Sequence, residues 1–387
     1  MYLIKTMNKI SPVGLAEFPH DIYEVASQFA EPDAILLRSD DLHGVEFPAS
    51  VKAIARAGAG VNNIPLDYCA DRGIVVFNTP GGNANAVKEL TIASMLLSSR
   101  KLTEGMAWAK TIQDKADEVP DLAEKEKNRF VGPEILGKTL GVVGLGAVGA
   151  LVANDAIALG MHVIGYDPYI SVDAAWSLSQ LVQRADSLEG LLAKADFVTL
   201  HIPLEDSTRG IIGAEKIRLM KKGSRLINLA RGGLVNEADV IAALDSERLS
   251  YYITDFPSAE LLACEKAICF PHLGASTPEA EDVCAKMAVQ QLMAFLETGA
   301  IINSVNYPRC RMEQRAPYRL TVSHRNIPNM IGQVTTMLAK EHINIIDMIN
   351  QSRGNYSYNI IDTEQEIPTQ TLDEIIEVDG IIKVRSL

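Results

Sequence analysis

Three residues able to perform acid–base and anion-binding chemistry follow one another along the chain at Arg231, Glu260 and His272. Oxidation of an alcohol by hydride transfer needs a base for the hydroxyl proton, and histidine titrates close to neutral pH. A carboxylate beside the ring favours its protonated form, and an arginine can bind a substrate carboxylate through two parallel hydrogen bonds. A single histidine is more often an ordinary, satisfied core residue, so the prediction that these three are catalytic depends on the neighbouring motifs.

A glycine-rich turn follows an apolar segment in the sequence Thr-Leu-Gly-Val-Val-Gly-Leu-Gly-Ala-Val-Gly at 139–149. Its glycines Gly144, Gly146 and Gly149 form the pattern G-x-G-x-x-G, which allows a tight turn, close backbone approach to a pyrophosphate, and helix–strand packing. A second apolar segment ends at Asp167, an acid that can bond ribose hydroxyls and would repel a 2′-phosphate. The sequence therefore predicts a dinucleotide site that takes NAD rather than NADP.

The composition narrows the class of protein. The chain has 387 residues, 47% of them hydrophobic, and a formal net charge of −13, which argues against nucleic-acid binding. No apolar run is long enough to span a membrane, and the first ten residues lack the apolar core of a signal peptide. Five cysteines without a C-x-x-C pair predict reduced thiols in a cytoplasmic protein, and no cluster has metal-ligand spacing.

Strand-like and helix-like segments alternate up to about residue 300, which predicts an α/β protein with parallel sheets. One helix is predicted over 84–109, crossing between two domains, and another over 278–297. Strands are predicted at 35–38, 52–56, 74–77, 139–143, 161–166, 197–200, 224–229 and 251–255.

The tail from residue 317 has a different pattern, βαββαβ, which is typical of a ferredoxin-like module. Its predicted strands cover 318–323, 344–352, 356–362 and 381–385, and its helices 328–341 and 367–376. The expected domains are a substrate-binding domain at 1–90 with 283–310, an NAD-binding domain at 91–282, and the tail module at 317–387. The apolar helix and the tail suggest a homodimer or homotetramer.

Several motifs together resemble those of the D-isomer-specific 2-hydroxyacid dehydrogenases, and the tail resembles an ACT domain. The motifs are RAGAGVNNI at 56–64, NTPGGN at 78–83, GLGAVG at 144–149, YDP at 166–168, HIPL at 201–204, NLARGGLVNE at 228–237, PHLGAST at 271–277 and NSVNYP at 303–308. The resemblance implies two doubly wound parallel-sheet domains, a flavodoxin-like substrate domain and an inserted Rossmann domain, followed by the ferredoxin-like ACT domain. It also implies NAD as the cofactor.

The resemblance implies a role for each of the three candidate catalytic residues. Arg231 binds the C1 carboxylate, His272 takes the C2 hydroxyl proton, and Glu260 pairs with His272. The text around Glu260 departs from the family's usual D-V-F-x-x-E-P pattern, although Asp255 and Glu260 keep its spacing. His201 is expected to line the cleft without acting in catalysis. Further cofactor contacts are implied for Ala147, Val148, Ile202, Pro203, Leu229, Ala230, Asp255, Gly274 and Ala275.

A phosphate on the substrate needs local positive charge that the acidic protein as a whole does not provide. Arg38 and Arg56 each end a predicted strand, and in the resembled family these positions suit a phosphate clamp. The backbone of Gly60 and Val61 could donate to a carboxylate, and Asn83 lines the same region. The resemblance implies oxidation of 3-phospho-D-glycerate to 3-phosphohydroxypyruvate, the first step of L-serine synthesis, as the expected reaction.

Other interpretations stay open at this point. The two arginines could be ordinary surface residues. The chain could be another D-2-hydroxyacid dehydrogenase, such as a glyoxylate or hydroxypyruvate reductase, or a non-enzymatic scaffold that senses NAD. ACT domains often bind amino acids at a strand–helix turn, here residues 324–329, so serine is a possible effector. A tail that serves assembly alone is equally consistent with the sequence.

Overall fold

The structure is a computed structural model that describes all 387 residues. The chain divides into two compact units, the first formed by 1–83 with 278–387 and the second by 84–277. The three-domain division expected from the sequence places its boundaries at other residues and stays a prediction. None of the helices combines the length and apolar character that crossing a membrane requires.

The strands are β1 (Tyr2–Thr6), β2 (Tyr23–Ala26), β3 (Ala34–Leu37), β4 (Ala53–Arg56), β5 (Val75–Phe77), β6 (Thr139–Val143), β7 (His162–Tyr166), β8 (Gln183–Arg184), β9 (Phe197–Leu200), β10 (Ser224–Asn228), β11 (Leu249–Thr254), β12 (Ala267–Cys269), β13 (Tyr318–Arg325), β14 (Ile345–Arg353), β15 (Tyr356–Thr363) and β16 (Ile381–Ser386). The α-helices are α1 (Pro12–Leu15), α2 (Leu66–Asp71), α3 (Ala84–Arg100), α4 (Leu102–Lys110), α5 (Val119–Glu126), α6 (Ala147–Ala158), α7 (Val172–Ser177), α8 (Leu188–Lys194), α9 (Ala214–Leu219), α10 (Glu237–Asp245), α11 (Ala259–Leu262), α12 (Pro278–Thr298), α13 (Met330–Lys340) and α14 (Thr369–Ile376).

The first unit contains a parallel sheet in the order β2-β1-β3-β4-β5. This is the flavodoxin-like order, and a continuous apolar run such as β3 is typical of a strand covered on both faces. The helix α12 packs against β4 and contributes Leu292 and Phe295 to the core of this sheet.

The second unit contains a seven-stranded parallel sheet in the order β12-β11-β10-β9-β6-β7-β8. Relative to its first strand, β6, the order is that of a Rossmann fold, and the strand order reverses between β6 and β9. In open sheets of this kind ligands bind beyond the carboxyl ends of the strands at such a reversal. The cofactor loop after β6 and the loops after β10, β11 and β12 all emerge at this edge.

The tail forms an antiparallel sheet in the order β14-β15-β13-β16, with α13 and α14 completing the ferredoxin-like βαββαβ module. The predicted fold class is therefore confirmed. Within the first unit, Tyr358 and Ile360 of β15 share a core with Phe295 of α12 and with Tyr307. The buried Arg319 binds Asp362 through Nε at 2.6 Å.

The helix predicted over 84–109 is wrong as a single element, because the chain breaks it into α3 and α4. Lys101 adopts the left-handed region with φ 45°, which interrupts the helical hydrogen-bond pattern. α4 buries none of its residues in this chain, so no core contact keeps it in line with α3. The strands β2, β8 and β12 were not predicted; each has four residues or fewer.

Candidate active site

The glycine-rich loop after β6 requires glycine at two of its three glycine positions and leaves open space at the third. Gly144 has φ +89°, and a Cβ added there would lie 2.6 Å from the carbonyl oxygen of His201. A Cβ on Gly149 would lie 1.9 Å from the carbonyl oxygen of Gly144, so only glycine allows α6 to start this close to β6. A Cβ on Gly146, by contrast, would meet nothing within 4 Å, which leaves open space at the first turn of α6. This backbone fits a pyrophosphate at a helix N-terminus.

Asp167 follows β7 and is tied to the same loop. One carboxylate oxygen accepts from the backbone N–H of Leu145 at 2.9 Å, and the other accepts from the backbone N–H of Tyr169 at 2.9 Å. Each oxygen keeps a further lone pair, so the carboxylate can still accept from ribose hydroxyls. Ala147 and Val148 open α6, and Ile202 and Pro203 follow β9, next to the loop. The Cγ2 of Ile202 would lie 2.8 Å from a Cβ on Gly144.

The loop after β10 presents Arg231 to solvent. Asn228, which is buried, donates from Nδ2 to the carbonyl of Arg231 at 2.9 Å and accepts from the N–H of Ala230 at 3.2 Å. This side-chain clamp fixes the turn that carries the arginine. Arg231 itself is exposed and donates from Nη1 to the carbonyl of Ala230 at 2.7 Å. Leu229, in the same loop, is buried.

Asp255 follows β11 and is only 1% exposed. Its Oδ2 accepts from the backbone N–H of Gly274 at 3.0 Å, while its Oδ1 is buried without a hydrogen-bond partner. Burial raises the pKa of this carboxyl, and the Gly274 N–H with the charges of His272 and Arg231 opposes that rise. An unpaired buried carboxylate oxygen is costly, so a donor from a ligand or a neighbouring side chain would be expected there. This orphaned atom fits a site that accepts the amide end of a nicotinamide cofactor.

His272 is exposed and lies in the loop between β12 and α12. The ring of Phe256 packs against its imidazole with centroids 4.9 Å apart. The loop is anchored two residues later by the bond from Gly274 to Asp255. The charges of His272 and Arg231 therefore both act on the buried carboxyl group of Asp255.

Glu260 lies in the four-residue helix α11 and is exposed. The next residue, Leu261, is fully buried in the core, and Glu260 faces an open pocket shared with Ile241 and Lys266. No hydrogen bond or ion pair joins Glu260 to His272. The structure therefore does not bring the predicted pair together, and its role in catalysis stays a prediction.

His201 follows β9, with Nε2 3.0 Å from the hydroxyl of Thr199. Desolvation by burial lowers the pKa of His201 to about 4. Its ring is therefore neutral near pH 7, which accords with the expectation that it lines the site rather than transferring protons.

The predicted substrate residues of the first unit lie around the carboxyl ends of β3 and β4. Arg38 Nη1 makes an ion pair with Glu281 Oε1 at 2.5 Å. Arg56 donates from Nε to the carbonyl of Arg38 at 2.8 Å and from Nη1 to the carbonyl of Gly60. It therefore fixes the loop that contains Gly60 and Val61.

A buried thiol connects these charges to the loop that ends at Asn83. Cys284 of α12 lies beneath the loop, and a Cβ on Gly82 would be 2.7 Å from its sulfur. Burial raises the pKa of the Cys284 thiol, while the nearby hydroxyl of Thr79 and the charges of Arg38 and Arg56 oppose this effect. The two arginines and the glycine loop thus belong to one region of the first unit.

Three residues of these regions were not predicted from the sequence. Phe256 packs on the candidate base, Asn228 fixes the Arg231 turn, and Glu281 pairs with Arg38. Asn228 had a sequence signal, since asparagine at the end of a buried strand favours a side-chain-bonded turn. Glu281 had none, because Arg38 and Glu281 lie in distant parts of the sequence.

Comparison with known proteins accords with this geometry. Residues 92–274 match the family described as D-isomer specific 2-hydroxyacid dehydrogenase, NAD binding domain. The D-3-phosphoglycerate dehydrogenase of Methanocaldococcus jannaschii is 33% identical over 338 residues, which cover 84% of this chain and 61% of that protein. The Bacillus subtilis protein of the same name is 31% identical over 322 residues, which cover 80% of this chain and 58% of that protein.

Solved structures show the same fold. The NAD+-bound 3-phosphoglycerate dehydrogenase of Entamoeba histolytica is 28% identical with a TM-score of 0.62, covering 79% of this chain and 98% of that one. The D-mandelate dehydrogenase of Rhodotorula graminis has a TM-score of 0.67 at 23% identity, covering 79% of this chain and 97% of that one, which shows the fold alone.

The fold and the cofactor loop define the class: residues 92–274 form an NAD binding domain of the D-isomer specific 2-hydroxyacid dehydrogenase family. The prediction of NAD as the cofactor is confirmed. Within the family, the curated relatives compared above are D-3-phosphoglycerate dehydrogenases. The chain spans about three fifths of their length.

Proposed function

We propose that this chain oxidises 3-phospho-D-glycerate to 3-phosphohydroxypyruvate with NAD, the first step of L-serine synthesis. The observation that supports this proposal most directly is Asp255, a buried carboxylate that binds the loop of His272 through the Gly274 N–H at 3.0 Å, at the edge of the sheet that carries the cofactor loop. The relatives named D-3-phosphoglycerate dehydrogenase favour the phosphorylated substrate.

The chemistry assigned to each residue follows from its type. Arg231 binds the C1 carboxylate with its planar fork, and in the reverse direction it polarises the C2 carbonyl. His272, exposed and packed on Phe256, takes the C2 hydroxyl proton. NAD, when bound, supplies the hydride acceptor. The family pattern implies Glu260 as the carboxylate that stabilises the imidazolium, and Asp255, which binds the loop of His272 through the Gly274 N–H, is the second candidate.

The remaining predicted contacts belong to the same proposal. The cofactor is bound through Gly144, Gly146, Gly149 and Asp167, with Leu229, Ala230, Asp255, Gly274 and Ala275 toward its nicotinamide end. The substrate phosphate binds Arg38 and Arg56, and Gly60, Val61 and Asn83 complete the substrate contacts. A cytoplasmic location accords with five free cysteines.

Serine is the effector we propose to test at the tail module. In its strand–helix turn, His324 is buried and bonded to Asn359 Oδ1 at 2.7 Å, and Asn329 has a left-handed φ of 70° ahead of α13. Amides of this turn are the groups able to bind an amino-acid zwitterion. A homodimer or homotetramer is the expected assembly.

The experiment is a screen of NADH oxidation with 3-phosphohydroxypyruvate, hydroxypyruvate, glyoxylate and 2-oxoglutarate, each with and without serine. We expect the highest kcat/KM with 3-phosphohydroxypyruvate. A preference for glyoxylate or hydroxypyruvate would contradict the proposed substrate. NADH binding without turnover of any 2-oxo acid would favour a scaffold instead.

A further inference from the structure

Arg38, the arginine that we assign to the substrate phosphate, forms an ion pair with a carboxylate of the chain itself. Arg38 follows β3, Glu281 lies in the first turn of α12, and their side chains meet at 2.5 Å. Both side chains keep roughly a third or more of their surface exposed, 36% for the arginine and 42% for the glutamate. The pair is therefore accessible to a small anion from solvent.

The carboxylate of Glu281 and a phosphate make the same kind of contact with a guanidinium. Both present oxygen acceptors that match its fork of N–H donors. A phosphate near neutral pH carries more negative charge and one more acceptor oxygen than a carboxylate. Glu281 and a bound phosphate would thus compete for Arg38, and they would repel each other at close range.

The surrounding charges strengthen this competition. Arg38, Arg56 and Glu281 all act on the buried Cys284, so the region contains two cations and one anion. The neighbouring Asp282 is engaged elsewhere, since its Oδ1 accepts from the hydroxyl of Ser11 at 2.5 Å. Glu281 is therefore the carboxylate of this turn that neutralises Arg38.

We propose that Glu281 is an internal competitor for the phosphate of the substrate, and that it sets how strongly phosphorylated substrates bind. This inference rests on the proposed function, because it assumes that Arg38 receives the phosphate. The carboxylate holds Arg38 in the free protein and swings away when the phosphate binds. It thereby lowers affinity for every phosphorylated ligand at this site and leaves unphosphorylated ligands unaffected.

The test compares Glu281→Gln with Asp282→Asn, which removes one negative charge from the same helical turn without touching Arg38. KM is measured for 3-phosphohydroxypyruvate and for hydroxypyruvate. Calorimetry measures the Kd of inorganic phosphate for the full chain loaded with NAD. Partly exposed ion pairs are weak, so we expect Glu281→Gln to lower KM for the phosphorylated substrate and the phosphate Kd by about two- to fivefold. Asp282→Asn should change neither, and KM for hydroxypyruvate should stay constant in both variants.

The outcomes separate this inference from the proposed function. Equal effects of the two variants would show a general charge effect and overturn the inference, as would no effect of Glu281→Gln or an equal fall in KM for hydroxypyruvate. If the wild-type chain turned over none of the substrates, the proposed function would fail. The phosphate Kd would still report whether Glu281 competes for Arg38.

Discussion

His272 is the residue on which the proposed chemistry depends most. Replacing it with alanine removes the general base, so we expect kcat to fall by two or more orders of magnitude. The cofactor loop lies after a different strand, β6, so NADH affinity measured by fluorescence should stay within about twofold. His162→Ala is the control, because His162 is an exposed histidine at the start of β7. Unchanged turnover in His272→Ala would remove the histidine from the mechanism.

The carboxylate that supports His272 can be identified by two amide variants. A carboxylate near the ring stabilises the imidazolium that forms when His272 takes the hydroxyl proton, so its removal should lower kcat. We expect kcat to fall by about tenfold or more in Asp255→Asn and by less than about twofold in Glu260→Gln, because Asp255 binds the loop of His272 through the Gly274 N–H at 3.0 Å.

Steady-state kinetics with saturating NAD check this assignment, because Asp255 is also expected to contact the cofactor. A loss of kcat in Glu260→Gln alone would restore the family's glutamate to this role.

At the scale of single residues, the sequence predicted the arginine, the histidine and the glycines through motifs that are local in the chain. It predicted Glu260 as the carboxylate that accompanies the histidine, and this pairing stays a prediction. Asp255 and Glu260 keep the family spacing, but burial of Leu261 turns Glu260 toward the pocket with Ile241. Such a choice depends on packing, which spacing alone does not encode.

At the scale of elements, the segment formed by β6, the glycine-rich loop and α6 offers a matched pair of variants. Gly149→Ala would place a methyl group 1.9 Å from a backbone oxygen, which no side-chain movement can relieve. We expect it to destabilise the protein by about 2 kcal/mol or more. Gly146→Ala meets nothing within 4 Å and should alter stability by less than about 1 kcal/mol, while its methyl group intrudes on the approach to the pyrophosphate.

Urea denaturation and NADH titration of both variants separate packing from binding. Gly146→Ala should weaken NADH binding by about tenfold or more, which corresponds to roughly 1.4 kcal/mol. If it bound NADH as tightly as the wild type, the cofactor would not approach this backbone.

The elements were predicted where hydrophobic pattern and loop chemistry agreed, as in β6, α12 and the strands of the tail. The break at Lys101 was not, because the apolar pattern continues into α4 although α4 buries no residue in this chain. Periodicity indicates that a face is apolar, and it does not indicate whether that face is covered. The short strands β8 and β12 depend on pairing with longer neighbours, a tertiary effect.

The first unit as a whole combines the flavodoxin-like sheet and the tail module in one compact body. Tyr358 donates from its hydroxyl to the carbonyl of Gly299 at 2.9 Å, and Arg319 donates to the carbonyl of Thr298 at 3.0 Å. The tail is thereby fixed to the end of α12 by buried polar contacts as well as by the shared core. The sequence predicted the tail module but not where it attaches, because the hydrophobic pattern of the module does not indicate which surface it covers.

Lys383 gives this attachment a pH dependence that can be measured. Its Nζ donates to the carbonyl of Val51 at 2.7 Å, and burial, with the nearby charges of Arg385 and Lys52, lowers the pKa of Lys383 to about 8. Below pH 8 the folded and unfolded states both bind the proton, and the folded state bears the cost of the buried charge. Between about pH 8 and 10.5 the unfolded state binds more protons, so stability should rise with pH.

The variant Lys383→Met lacks this titrating proton and should lose the rise in stability. We expect the urea midpoint of the wild type, relative to the variant, to increase between pH 8 and pH 9.5, a comparison in which the ionisation of tyrosines cancels. A constant difference between the two proteins over this range would show that Lys383 is not a desolvated cation in the folded chain.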